Sequence, residues 1–370
     1  MPYIKRIKIQ NLRNITDVAL EFSPSINIFF GNNGSGKTTL LEAIALLGLG
    51  KSFRTHKSKN TIQYNCEELT IFGEISAECN KSVNLGLQKN KKGHKNIRVD
   101  GANVYSSSSL AKNLPLQVIN AKSFQLLEGS SRQRCQFLDW MVFHVKPDFI
   151  KAWISLRKVI KHRNSVLRHG KMDTTELLSW DTEFVRIAEV LHGFRYDVFK
   201  DFKNTLTDFM VDIDGQHENF EIDYYRGWNA DKTLKQVLTE ALQKDCQLGY
   251  TQYGPHRADL KIKVNNRNVT DVFSRGQEKS LVCGLRVGQS KYYQSKLNRH
   301  CVFLVDDMLS ELDFDHQTRL VDYLVNLNDQ IFVTGVDKEE LLKVWKIVDK
   351  DVAMFHVEHG NITRVNTKAC

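Results

Sequence analysis

The chain has no C-x-x-C pair, no long uninterrupted apolar run, no internal repeat and no low-complexity stretch beyond a short polar C-terminus. The first absence removes zinc sites and disulfide frameworks. The seven cysteines (Cys66, Cys79, Cys135, Cys246, Cys283, Cys301 and Cys370) stand singly, a usage that suits a reducing cytoplasm. The second absence removes a membrane span. The longest apolar stretch, Leu40 to Leu49, contains Glu42 and Gly48 and is too short to cross a bilayer. Met1 to Gln10 alternates apolar and basic residues as a strand does, without the apolar core of a signal peptide. A soluble, cytoplasmic protein with no membrane contact is the expectation. Acidic residues are also in deficit, 43 Asp+Glu against 52 Lys+Arg, for a net charge of +9. That balance favours a polyanionic partner, nucleic acid first, although on charge alone a basic protein with no such partner fits too.

What is present begins with Ile26-Asn27-Ile28-Phe29-Phe30, an apolar run that reads as a buried strand. Gly31-Asn32-Asn33-Gly34-Ser35-Gly36-Lys37-Thr38-Thr39 follows and matches G-x-x-x-x-G-K-S/T, the phosphate-binding P-loop. Leu40, Leu41, Ala43, Ile44, Leu46 and Leu47 continue at helical spacing. The glycines let the backbone curl so that its N–H groups face a phosphate, and the helix N-terminus adds partial positive charge there. Lys37 can reach β- and γ-phosphates, and the Thr38 hydroxyl can ligate Mg²⁺.

A length of 370 residues suggests two or three domains. Tyr3–Gln10 and Val18–Phe22 read as strands, as do Leu69–Ile75 paired with Val83–Leu87, and Leu116–Ile119. Lys89 to Asn96 is a basic turn, either a solvated hairpin tip or a contact for a phosphate backbone. Ser106 to Ser109 reads as a loop. From Arg132 to Cys246 the pattern is helical. Trp153, Leu156, Val159, Ile160 and Leu167, then a turn at Gly170 to Thr175, then Leu177, Phe184, Ile187 and Leu191 predict an antiparallel helical hairpin. Its apolar stripe reads as one helix packing on the other, with a membrane or partner surface as the alternative. Phe220–Tyr225 is strand-like, Leu234–Leu242 helical, and Tyr253–Asp259 a turn before the strand Leu260–Val264.

Cys301-Val302-Phe303-Leu304-Val305-Asp306-Asp307 is a continuous apolar strand ending in two carboxylates, as suits the centre of a parallel sheet. Asp306 is the candidate Mg²⁺ ligand, and Asp307 is placed to orient or deprotonate an attacking water. Upstream, Ser274-Arg275-Gly276-Gln277 opens a helical run, where Ser274 can cap the helix and Gly276 lets backbone approach an anion.

The order P-loop, helical insertion, Ser-Arg-Gly-Gln, Asp-Asp resembles the ABC-type ATPase head, in its SMC-like branch. More narrowly, the chain is similar over nearly its full length to the RecF family of bacterial recombination mediators. The matching stretches are Leu12-Arg13-Asn14-Ile15, Gly31–Thr39, Ser52-Phe53-Arg54, Phe137-Leu138-Asp139-Trp140, Tyr253–Leu260, Ser274–Gln277 and Asp306–Asp313. The resemblance implies an α/β fold, a mixed sheet flanked by helices with an inserted, mainly helical lobe. It divides the chain into 1–135 (head, with P-loop and antiparallel subdomain), 136–245 (helical lobe) and 246–370 (head, with signature and strand-end carboxylates).

It further implies an ATP- and Mg²⁺-dependent homodimer in which Ser274, Gly276 and Gln277 of one copy contact the γ-phosphate held by the other. Ser310-Glu311-Leu312-Asp313 would be the D-loop, and Arg13 and Arg54 would face nucleotide phosphate or the DNA side. Single-stranded and gapped DNA, ss–ds junctions, RecR and RecO are the implied partners. Recombinase loading in DNA repair and replication, with support of the SOS response, is the implied role. The chain departs from the ABC pattern at three points. Asp307 stands where Glu is usual, the switch histidine is absent after Ile331–Thr334, and the Q-loop residue is either Gln117 or Asn120. All three point to a slow ATPase used as a switch. A transporter subunit would lack the basic helical insertion and keep the switch histidine. A non-hydrolysing DNA-binding scaffold with structural nucleotide is the remaining alternative.

Overall fold

The computed structural model describes residues 3–76, 81–168, 174–214, 220–307, 314–345 and 351–365. Two compact units divide the chain: Met1–Ser123 with Asn298–Cys370, and Phe124–Leu297.

The first unit opens with β1 (Tyr3–Leu12), β2 (Ile15–Glu21) and β3 (Ile26–Phe30), followed by α1 (Lys37–Leu49). Next come β4 (Glu68–Ser76), β5 (Ser82–Asn90), β6 (Lys95–Val99), β7 (Ala102–Val104), α2 (Ser107–Asn113) and β8 (Leu116–Ile119). The expected pairing of Leu69–Ile75 with Val83–Leu87 is present, with Ile71 opposite Leu87. The serine run is different. Ser106 accepts a bond from the Ser108 amide and caps α2, so Ser107–Ser109 is helix rather than loop. Serine favours turns and N-caps through the same side-chain acceptor, and sequence alone does not separate the two.

The second unit holds α3 (Gln125–Glu128), α4 (Ser131–Val145), α5 (Phe149–Arg168), α6 (Thr174–Asp214), β9 (Phe220–Tyr225) and α7 (Leu234–Leu248). It continues through β10 (Asp259–Val264), β11 (Arg267–Asn268) and α8 (Arg275–Leu297). The chain then returns to the first unit with β12 (Val302–Val305), α9 (Phe314–Asn326), β13 (Gln330–Gly335), α10 (Lys338–Val344), β14 (Val352–Glu358) and β15 (Asn361–Val365).

Two sheets build the first unit. One is antiparallel in the order β2-β1-β4-β5-β6-β7. The other runs β15-β14-β3-β13-β12-β8, parallel except for β15. Between them lies α1. Leu40, Leu41, Ala43, Ile44, Ala45, Leu46 and Leu47 are buried on every side of that helix, in one apolar cluster with Ile71 and Leu85 on one sheet and Phe29, Leu304 and Phe332 on the other. A helix apolar all round needs cover all round, and two sheets supply it. The fit is close: a Cβ at Gly73 of β4 would stand 2.3 Å from Leu47 Cδ2.

In the second unit α5 packs on α6. His162 stacks on Trp180 with ring centroids 4.7 Å apart, and Arg163 bonds Asp181 at 2.6 Å. The expected turn at Gly170–Thr175 lies outside the described residues up to Asp173, and Thr174 already begins α6. Three arginines of α4, α5 and α6 tie these helices to the chain between Asp245 and Asp259. Arg195 grips Asp139 with two bonds (2.7 and 2.9 Å) and donates to Pro255 O at 2.7 Å. Arg134 grips Asp259, and Arg163 also reaches Asp245 and Thr251, each at 2.7 Å.

These bonds redraw the expected boundaries at 135 and 245. Residues 124–135 and 246–297 belong with the helical unit rather than the head, because α4 and α6 hold the Pro255–Asp259 turn and Gln289 of α8 donates to Phe137 O of α4 at 2.7 Å.

Candidate nucleotide site

The parallel sheet delivers two chain segments to the same edge. β3 ends at Phe30, and the loop that follows turns on Gly31, Gly34 and Gly36, whose φ angles are 149°, 82° and 123°. Such values are strained for any residue with a Cβ, so the loop's shape requires glycine. Gly36 precedes α1, which has no side-chain cap and no acidic residue in its first turn. The first N–H groups of the helix, from Lys37, Thr38 and Thr39, are therefore not taken up by a side-chain cap, as anion binding at a helix start requires. Within the loop the Ser35 amide bonds Asn32 O at 3.2 Å, and Ser35 Oγ is buried with no partner. Asn33 and Gly34 form the rest of the loop.

Neighbouring turns fix the loop from outside. Ser35 O accepts from Asn14 Nδ2 at 2.9 Å and from the Gly360 amide at 2.8 Å. Asn14 follows β1 and Gly360 joins β14 to β15, so strands from both sheets converge on one carbonyl. Asn14 escaped the sequence reading as a site residue, although it lies in one of the stretches that carry the family resemblance.

Lys37 folds back over the loop, with Nζ donating to Gly31 O at 2.6 Å and Asn32 O at 2.9 Å. Burial pushes its ammonium pKa below the ordinary lysine value, while the Asp307 and Asp306 carboxylates push it back up. A phosphate supplies the negative charge that this desolvated ammonium lacks.

β12 lies between β13 and β8, and brings Asp306 to the same place. Thr38 Oγ1 donates to Asp306 Oδ1 at 2.9 Å, across 268 residues of sequence. Thr334, at the end of β13, donates to the same oxygen at 3.0 Å and accepts from the Asp307 amide at 3.0 Å. Burial raises the Asp306 pKa above the usual carboxylate value; the Thr38 and Thr334 hydroxyls and the Arg54 charge oppose the rise, and Asp307 adds to it. A hydroxyl and a buried carboxylate in contact are a hard-oxygen pair that fits Mg²⁺. Asp307 itself takes φ 48°, a left-handed conformation uncommon for a residue with a Cβ. Thr334 also escaped the sequence reading. Its signal was present, a threonine at a strand end where a switch histidine would follow.

A third missed residue is Glu42. It is fully buried in α1, pairs with both Nε and Nη2 of Arg13, accepts from Ser52 Oγ, and lies 3.8 Å from Arg54 Nη1. The single carboxylate in a mostly apolar helix was the clue. Arg13, expected at the nucleotide, is engaged by this carboxylate. Of the two Q-loop candidates, Asn120 follows the carboxyl end of β8, beside the Ile119 carbonyl that accepts the Asp306 amide at 2.9 Å. Gln117 lies three positions back, buried within the strand. Asn120 Oδ1 accepts from the Lys122 amide at 3.0 Å.

The signature residues belong to the other compact unit. Ser274 and Gln277 form a reciprocal cap at the start of α8: the Ser274 amide donates to Gln277 Oε1 at 2.9 Å, and the Gln277 amide to Ser274 Oγ at 3.4 Å. A Cβ at Gly276 would meet nothing within 4 Å, so packing inside this chain does not explain the glycine. Arg275 pairs with Glu128 and reaches Glu278 at 3.4 Å. The expected D-loop, Ser310–Asp313, lies outside the described residues.

These features define a P-loop ATPase head of the SMC type. The family model for the RecF/RecN/SMC N-terminal domain matches residues 3–363. The Smc head domain from Pyrococcus furiosus superposes with a TM-score of 0.58 at 13% identity, covering 99% of this chain and 96% of that one, a likeness of fold alone. Within this class the chain belongs to the RecF family. It is 42% identical to the DNA replication and repair protein RecF of Cellvibrio japonicus, over 97% of this chain and 99% of the relative. It is 43% identical to that of Pseudomonas putida strain F1, over 98% of each. A solved structure of the recombination mediator protein RecF with ATP, from the RecFOR pathway, matches with a TM-score of 0.87 at 25% identity, covering 99% of this chain and 98% of that one.

Proposed function

We propose that this chain is an ATP-dependent DNA-binding protein of recombinational repair and replication restart, working as a dimer of heads that ATP joins and hydrolysis releases. The observation that carries the nucleotide part is the meeting of Thr38 and Asp306 at 2.9 Å beside a glycine-shaped loop. The DNA part rests on the family and on the net charge of +9. In this reading Lys37 leaves its loop carbonyls for the β- and γ-phosphates, and the backbone of Gly31–Thr39 cradles them. Thr38 and Asp306 hold Mg²⁺, which neutralises phosphate charge when bound. Asp307 orients water. Ser274, Gly276 and Gln277 of a second copy close on the γ-phosphate. The DNA is single-stranded or gapped, or an ss–ds junction; RecR and RecO are the partners in recombinase loading, and the SOS response is supported downstream. Phosphate contacts make DNA affinity fall steeply with salt.

One observation favours a second reading, a scaffold that binds nucleotide without hydrolysing it. Asp307 is one methylene shorter than the usual glutamate, and its backbone is held in the left-handed region with its amide bonded to Thr334. Single-turnover ATP hydrolysis with and without DNA separates the two. Slow, DNA-stimulated turnover supports the switch; complete absence of hydrolysis rejects it in favour of the scaffold.

A further inference from the structure

We propose that Lys51, Lys89 and Lys95, with Tyr105 beside them, form a contact for the phosphate backbone and one base of single-stranded nucleic acid. The proposal rests on the DNA-binding reading above and names residues for it. Lys89 and Lys95 are direct cross-strand partners on β5 and β6. Like charges directly opposite one another destabilise a sheet. Lys89 lies on an inner strand, between β4 and β6, where a lysine does not serve to block edge pairing.

Lys89 continues the inward-facing row of Leu85 and Leu87 and is only 6% exposed. Among the described residues its ammonium has no hydrogen bond or ion pair; the nearest charges it feels are Lys95, which repels it, and Glu42. Lys95 has a structural task, since its Nζ donates to Gly50 O at the carboxyl end of α1. That task needs one cation. Lys51, exposed and next in sequence to Gly50, adds a third charge that acts on Lys95. Three ammonium groups, that of Lys89 without a hydrogen bond or ion pair among the described residues, are more positive charge than a helix end requires, and a phosphate is an anion that would balance it.

Tyr105 supplies the second feature. Its ring is fully exposed, at 103% of the reference area. It stands two residues before Ser107, whose side chain lies so close to Gly50 that a Cβ there would be 2.4 Å from Ser107 Oγ. An exposed aromatic ring beside a basic corner is the pairing that binds single strands: the base stacks while the backbone is neutralised.

The test uses the full chain with ATP. Fluorescence anisotropy is read with a labelled oligothymidylate and with a duplex of equal length across a salt series. The double variant Lys89→Gln/Lys95→Gln is expected to bind single strand roughly tenfold more weakly and to lower the slope of log affinity against log salt by about 1 to 2. Lys51→Gln, at an exposed position, changes the slope in the same direction and serves if the double variant does not fold. Tyr105→Ala loses roughly tenfold in single-strand affinity and much less for duplex. All variants keep the wild-type affinity for a fluorescent ATP analogue. Unchanged DNA affinity and salt slope would overturn the proposal, as would losses that only track a fall in melting temperature. If the wild-type chain itself fails to bind DNA, the functional reading falls and takes this inference with it; if the wild type binds and the variants match it, this inference alone falls.

Discussion

The P-loop and the start of α8 both present helix N-termini, yet they are built differently. The P-loop is held at several points. Lys37 is bonded to loop carbonyls, Ser35 O takes two bonds from outside the loop, and Asp306 takes two hydroxyls. The start of α8 carries its own Ser274–Gln277 cap and the Arg275–Glu128 pair, while Gly276 faces open space. A rigid cradle can fix a ligand before a partner arrives, whereas a bare helix end with spare room suits a surface that closes later on something already fixed.

The largest effect should come from breaking the cradle. Lys37→Ala is expected to weaken ATP binding by roughly 100-fold or more, since a charge-assisted phosphate contact is lost, and to abolish ATP-driven dimerisation in sedimentation. An unchanged ATP-dependent dimer would refute the assignment. Next, Ser274→Arg should leave monomeric ATP binding intact while blocking dimerisation, because the bulk lies on the closing surface. Failure of that variant to bind ATP as a monomer would place Ser274 in its own chain's site. Glu42→Ala should cost about 3 kcal/mol in urea unfolding, at the low end for a broken buried pair because Arg13 is partly exposed.

The fourth prediction concerns the helical unit. His256 is an exposed residue whose ring is turned back on the chain, with Nε2 3.0 Å from Thr251 O. Desolvation of the ring is the main cause that lowers its pKa from 6.5 to about 4. The unfolded chain then binds a proton that the folded chain refuses, so stability is full above the unfolded value and falls as pH drops through this window. Solvent reaches this exposed residue and screens the effect, so the loss should be about 1 kcal/mol by pH 4, well short of the full shift. His256→Gln should flatten the pH dependence of the melting temperature between those limits. The smallest effect is expected for Thr334→Val, about 1 kcal/mol of stability with a modest loss of Mg²⁺-dependent nucleotide affinity measured by titration.

The parts of this molecule that were legible in the sequence are contiguous ones. The β3–loop–α1 segment, the β4–β5 pair and the helical hairpin each carry their period within one window. Asn14, Glu42 and Thr334 were harder, because their roles depend on neighbours set by sheet order: Thr334 meets Asp306 only because β13 pairs with β12. The unit boundaries were missed for a similar reason. Nothing local in residues 246–297 announces that Asp259 will be gripped by Arg134, or Phe137 O by Gln289. The serine run was misread because one side-chain acceptor serves both loops and helix starts.

The notch over Gly73 has a mechanical consequence. Leu47 fills it so closely that α1 cannot slide along its axis or roll without first being lifted off the antiparallel sheet. Packed interiors of this density resist gradual deformation. A pull on the amino end of α1, where Lys37 and Thr38 stand, is therefore borne by the antiparallel sheet and carried as far as the turn at residues 91–94, and the whole block moves or none of it does.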